Sequence, residues 1–133
     1  SMKNMFTSCH ALTRLDLSSF RTPALTDMKA MFDSCRNLEA VDMTNFDTSN
    51  VTGMSNLFSG CSSLKEADLS NFDTAKTQNM YAMFYGCENL TSLDLSGFTS
   101  KKLQSTAKMF TGIGSLENFL CTDAVILAAY RTR

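Results

Sequence analysis

The stretch TGMSNLFSGCSSLKEADLSNFDTAKT, residues 52–77, decides how this chain folds. It carries two hydrophobic periods in succession. Met54, Leu57, Phe58 and Cys61 fall at i, i+3, i+4 and i+7, the spacing of one face of a helix. Leu64-x-x-Ala67-Asp68-Leu69-Ser70 follows, and its end alternates apolar and polar with period two, as a short strand does. Thr52, like Thr26, is placed to cap the helix start. Gly60 is placed to end that helix through a left-handed residue. Asn71-Phe72-Asp73-Thr74 then turns the chain, with Asp and Thr side chains able to bond nearby backbone N–H groups.

Outward from this stretch the same pattern recurs every 26 residues, with no insertion or deletion from Met2 to Leu116. Cys9, Cys35, Cys61 and Cys87 share one column, and Phe6, Phe32, Phe58, Phe84 and Phe110 another. Leu12, Leu38, Leu64, Leu90 and Leu116 form a third, Asp16, Asp42, Asp68 and Asp94 a fourth, and Phe20, Phe46, Phe72 and Phe98 a fifth. One unit cannot bury its own apolar face, whereas stacked units can, and the period lies within the range of leucine-rich repeats. The expectation is therefore an α/β leucine-rich-repeat solenoid, with short parallel strands on one face and short helices opposite. It has about five repeats in a single domain over 1–133: 1–25, 26–51, 52–77, 78–103 and a divergent 104–129. In the strands Leu15, Val41, Ala67, Leu93 and Phe119 are expected to point inward, as are Leu17, Met43, Leu69, Leu95 and Cys121. The last unit breaks the pattern, since Leu120 stands where Asp is expected and Ala124 where Phe is. Thr122-Asp123 before an Ala- and Leu-rich run predicts a C-terminal helical cap over about 122–133, with Arg131 and Arg133 suited to its negative end. The first unit carries no such cap. Its strand is expected to be an open edge, met by a preceding part of a longer protein or by self-association.

Composition narrows the function. The chain is 44% apolar and 19% charged, too apolar for a disordered polypeptide. Twelve basic against thirteen acidic residues give a net charge of −1, which argues against a nucleic-acid or other polyanion binder. No apolar run approaches the ~18 residues of a membrane span, and nothing at the start reads as a secretory signal.

The repeated run M-x-x-M-F-x-x-C-x-x-L-x-x-L-D-L-S-x-F-D-T resembles the BspA-like bacterial surface leucine-rich repeat. Met28-x-x-Met31-Phe32-x-x-Cys35-x-x-Leu38-x-x-Val41-Asp42-Met43-Thr44-x-Phe46-Asp47-Thr48 is one copy, and Met80 to Thr99 holds another. The resemblance covers roughly residues 2–120. Where ordinary leucine-rich repeats place an Asn after the strand, this chain has the Phe20 column, so the turn must satisfy its backbone groups otherwise. The column of Thr22, Thr48, Thr74 and Ser100 is the candidate. The resemblance implies a cell-surface or secreted protein of bacteria or some protists, engaged in adhesion and binding a host extracellular-matrix or surface protein.

Several columns invite chemistry. Cys side chains stacked at strand spacing come within the Cα separation of a disulfide. Yet the 26-residue spacing is unlike that of zinc sites, ladder side chains do not converge, and Ile113 shares the column. Buried free thiols packing as small hydrophobes are the favoured reading. The Met columns likewise read as core beneath the helix, and no metal or other cofactor is expected. The Asp column faces out, and its stacked carboxylates need relief. Hydrogen bonds from the flanking column of Ser18, Thr44, Ser70 and Ser96, a basic partner, and calcium are the three options. Catalysis is not expected. His10 is the sole His, Cys9 and His10 as sequence neighbours point apart, and Gly112-Ile113-Gly114 lacks the context of a phosphate loop. The open strand face remains: Arg14, Asp16, Asp42, Glu66, Asp68, Ser92, Asp94 and Asn118 are the candidate partner-binding residues. The alternative is an architectural spacer with no ligand of its own.

Overall fold

Each unit spends only three residues on a strand, the middle one apolar and turned inward. The computed structural model describes residues 1–133. The strands are β1 (Arg14–Asp16), β2 (Ala40–Asp42), β3 (Glu66–Asp68), β4 (Ser92–Asp94) and β5 (Asn118–Leu120), followed by helix α1 (Ala124–Arg131). Pairing is parallel and steps by one repeat, Arg14 against Ala40, Glu66 against Ser92, and Ser92 against Asn118. β1 and β2 form one sheet, and β3, β4 and β5 a second. Between β2 and β3 regular pairing lapses. There Lys65 N–H donates to Glu39 C=O at 3.2 Å, and the Asn71 amide donates to the carbonyls of Met43 and Phe46.

The helices expected opposite the strands are absent; the one helix in the chain is α1. Residues such as 28–35 instead form two successive four-residue turns, with Met31 N–H bonded to Met28 C=O and Cys35 N–H to Phe32 C=O. The third residue of each turn has positive φ, as in a type II turn: Ala30 at 54° and Ser34 at 61°. The same left-handed positions recur at Asn4 and Ser8, Asn56 and Gly60, Ala82 and Gly86, and Lys108 and Gly112. Gly60 therefore ends no helix. It serves the second turn, and at Gly112 a Cβ would stand 3.2 Å from the Gly86 backbone. Thr52 caps no helix either, and its N–H bonds Thr26 C=O at 2.9 Å.

The physical reason lies in where the N–H groups go. In a helix each bonds four residues back. Here every second one leaves its unit. Met28, Ala30, Phe32 and Ser34 donate to the carbonyls of Gly53, Ser55, Leu57 and Ser59 at 2.7–3.0 Å. The pattern repeats from Met2 to Asp27, from Met54 to Asn79 and from Met80 to Ser105, so four units each send four bonds onward. Inter-unit bonding and helix formation compete for the same donors, and the stack wins.

Apolar columns form ladders between these turns and the strands. The rings of Phe6, Phe32, Phe58, Phe84 and Phe110 stack with centroids 5.4–5.9 Å apart and near-parallel planes. Phe20 stacks on Phe46, and Phe72 on Phe98. The Met columns are core in the inner units, whereas Met5 is 47% exposed and Phe20 37% exposed. Both belong to the first unit, over which nothing packs. At the other end α1 lies across the stack, burying Ile126 and setting Tyr130 edge-on to Phe110 at 5.6 Å. The Asp123 carboxylate accepts the N–H groups of Val125 and Ile126 at the helix start and that of Ser100 in the preceding unit.

The buried Thr column does what the turn needs. Thr22, Thr48 and Thr74 each donate a hydroxyl to a carbonyl of the next unit and accept the N–H of that same residue, namely Asp47, Asp73 and Thr99. Ser100 departs from this, its N–H going to Asp123.

Candidate functional site: the open strand face

The outward strand residues and their neighbours line one groove of about 750 Å³. Arg14, Asp16, Asp42, Glu66, Asp68, Ser92, Asp94 and Asn118 all border it, with Thr44 and Leu120 among the other lining residues. Its position follows from the strand period: with Leu15, Val41, Ala67, Leu93 and Phe119 turned toward the core, the residues on either side must face out. The groove crosses both sheets. Five carboxylates and one guanidinium line it, so its formal charge is −5 + 1 = −4 within a chain of −1. The two ion pairs of the chain lie beside it, where Glu39 meets Arg14 at 3.8 Å and Lys65 at 3.5 Å.

Each Asp of the ladder has a local task. Oδ1 of Asp16, Asp42, Asp68 and Asp94 accepts the N–H two residues on, from Ser18, Thr44, Ser70 and Ser96, at 2.9–3.0 Å. This Asx turn redirects the chain out of the strand. The Ser70 hydroxyl adds a 2.6 Å bond to Asp68. Asp47 repeats the arrangement with Ser49 at the next corner. The hydroxyl and N–H of Ser18, Ser49 and Ser70 hold the carboxyls of Asp16, Asp47 and Asp68 below the usual Asp value. Depressed folded values mean that these bonds stabilise fully above the ordinary Asp pKa of about 3.9 and lose their effect as pH falls through the lower folded values. Ser70→Ala is accordingly expected to move the titration of the Asp68 carboxyl, followed by NMR, upward toward its ordinary value, and to bring the acid loss of stability to higher pH. An unmoved Asp68 titration would contradict this role of the hydroxyl.

The cysteines are free thiols. Sγ of Cys35, Cys61 and Cys87 donates to the carbonyls of Phe6, Phe32 and Phe58 at 3.0–3.1 Å. Burial pushes all three thiols up, that of Cys87 to about 12. A thiolate is the reactive form. The native protein should therefore label most readily at half-buried Cys9, more slowly at half-buried Cys121, whose thiol burial also raises, and all five thiols should appear on unfolding without reductant. Rapid labelling of Cys61 in the folded chain would refute this. No group of three His, Cys, Asp or Glu side chains converges as metal ligands would. His10 is exposed, with Arg36 Nη2 3.4 Å from its Nε2.

Sequence reasoning missed two exposed aromatics outside the groove, Tyr81 and Tyr85 on the turn face of the fourth unit. They occupy columns filled elsewhere by Lys, Ser, Thr, Ala and Asp, and that contrast was the available signal. No helix is long and apolar enough to cross a membrane. A family model described as a Mycoplasma protein of unknown function, DUF285, matches residues 1–121. No curated protein and no solved structure matches the chain.

Proposed function

Since this chain belongs to the DUF285 family of Mycoplasma proteins of unknown function, we propose that it is a BspA-like leucine-rich-repeat solenoid acting as a non-catalytic protein-interaction module. Its place is the cell surface or the secreted space, and its task is adhesion through binding a host matrix or surface protein. One observation carries the reading: a single groove crosses all five strands, and its lining varies from unit to unit while the core columns hardly change. The column Arg14, Ala40, Glu66, Ser92, Asn118 changes charge at nearly every step, beside an almost constant Asp ladder. A face so patterned presents a specific charge sequence along the stack, and many shallow contacts in series supply affinity that one unit lacks.

A second reading, an architectural spacer, is favoured by the Asx turns: a carboxylate that shapes its own corner needs no partner to explain it. The triple variant Arg14→Glu, Glu66→Lys, Asn118→Lys separates the two, because it leaves every turn-forming Asp in place. Against a panel of immobilised host extracellular-matrix proteins, the parent chain is expected to bind at least one and the variant at least about tenfold more weakly. Equal binding would remove the groove from the interface, and no binding by either would leave the spacer.

A further inference from the structure

The strand-face groove is acidic and finds no counter-charge within the chain. None of its five carboxylates forms an ion pair, because both ion pairs of the chain go to Glu39, which draws Arg14 and Lys65 to the groove's margin. The Asx turns engage only half of each ladder carboxylate. Oδ1 of Asp16, Asp42, Asp68 and Asp94 accepts the backbone N–H, while Oδ2 has no partner in any of the four. The ladder then ends on the opposite character. Leu120 pairs in register with Asp94 and takes the fifth place in the column. It lines the groove with 57% of its surface exposed. One line along the stack therefore reads four acids and then an apolar side chain.

Resting on the reading of this groove as a protein-interaction face, we infer that its occupant is an extended basic segment of a partner protein. Lys or Arg at alternate positions of that segment meets the Asp ladder, and an apolar side chain follows on Leu120. Charge complementarity selects the basic class, since each free Oδ2 accepts from an ammonium or guanidinium group. A lone cation has no use for Leu120, and no three carboxylates converge to hold one. Spacing selects the extended form. Neighbouring strands lie about 4.8 Å apart, so Asp16 to Asp94 spans about 14 Å and Leu120 stands at about 19 Å. In an extended chain, residues 1, 3 and 5 share one face over about 13 Å, and residue 7 reaches about 20 Å. A helix about 10 Å across, laid over the same length, would fill about 1,600 Å³, twice the groove's volume of about 750 Å³.

The test uses the full chain and the labelled peptide Lys-Thr-Lys-Thr-Lys-Thr-Leu, followed by fluorescence anisotropy at low ionic strength. The chain is expected to bind it at least about tenfold more tightly than the same peptide with Glu for each Lys. Against a version ending in Ser the expected margin is about threefold. Asp42→Asn combined with Asp68→Asn removes two charges and keeps both turns, since an amide oxygen accepts the same N–H. This double variant is expected to bind the Lys peptide at least about tenfold more weakly, with its thermal unfolding midpoint little changed. Glu66→Gln alters no turn, is expected to weaken binding about threefold, and decides the matter should the double variant not fold. No binding of the Lys peptide, or binding equal to that of the Glu peptide, would overturn the inference. So would equal binding by the parent and the folded variants, or equal binding of the Ser-ended peptide, which would make the groove a sink for any polycation. A matrix protein that binds the parent and the Asn variant alike, but not the Arg14→Glu, Glu66→Lys, Asn118→Lys chain, would strike this occupant and leave the interaction reading standing.

Discussion

Phe58→Ala is expected to lower the unfolding free energy by about 4–5 kcal/mol, the top of the range for a buried aromatic. Phe58 is fully buried and sandwiched at 5.4 Å from Phe32 and 5.8 Å from Phe84. Truncation removes the transfer free energy of the ring, opens a cavity and breaks two stacking contacts at once. The cavity cannot collapse, because the flanking units are held at fixed spacing by four inter-unit backbone bonds on each side. Phe20→Ala is the control: the same residue type in a ladder, already 37% exposed and stacked on one side only, is expected to cost less than about 2 kcal/mol. Urea denaturation of both variants checks the pair. Similar losses would mean that the stack does not hold its spacing when a rung is removed.

Thr74→Val is expected to destabilise by about 2–4 kcal/mol although it makes the core more apolar. The Thr74 side chain is fully buried. Its hydroxyl donates to the Thr99 carbonyl at 2.9 Å and accepts the Thr99 N–H at 2.8 Å. Valine keeps the shape and leaves both backbone groups without a partner. Thr74→Ser keeps the hydroxyl and loses one methyl, a cost of about 1 kcal/mol. The expected order, Thr above Ser above Val, puts the most hydrophobic of the three last. A valine variant as stable as the serine one would show that water reaches the turn.

How much of this was legible follows from what each spacing can encode. The strand positions and their direction came through, because period two has one structural meaning and the 26-residue step fixes which residues pair. The Thr column was legible as well, since losing the turn Asn leaves backbone groups that something must satisfy. The turn ribbon was not. Two consecutive four-residue turns place Met28, Met31, Phe32 and Cys35 inside, and a helix places the same four residues on one face. Periodicity cannot separate them. The distinguishing signal sat on the polar positions between, where Asn4, Ser8, Ser34, Asn56, Gly60, Gly86 and Gly112 tolerate positive φ and suit a helix interior poorly. Ala30, Ala82 and Lys108 at the same positions dilute it. For the strand face, alternation sufficed to bring eight residues to one groove. What it could not convey was that each Asp is already engaged in shaping its own corner, since an Asx turn is written in two residues that also fit an exposed acidic surface.

The unit-to-unit backbone bonds run along the stack, so a pull on the two ends loads the rungs one interface at a time instead of shearing them together. Each interface that opens frees 26 residues of chain, roughly 85–95 Å of extended length at ~3.3–3.6 Å per residue. Under tension such a protein would yield as a ratchet of nearly equal steps, the first unit peeling before its sealed neighbours, and would act as an extensible tether whose give is set by the length of its repeat.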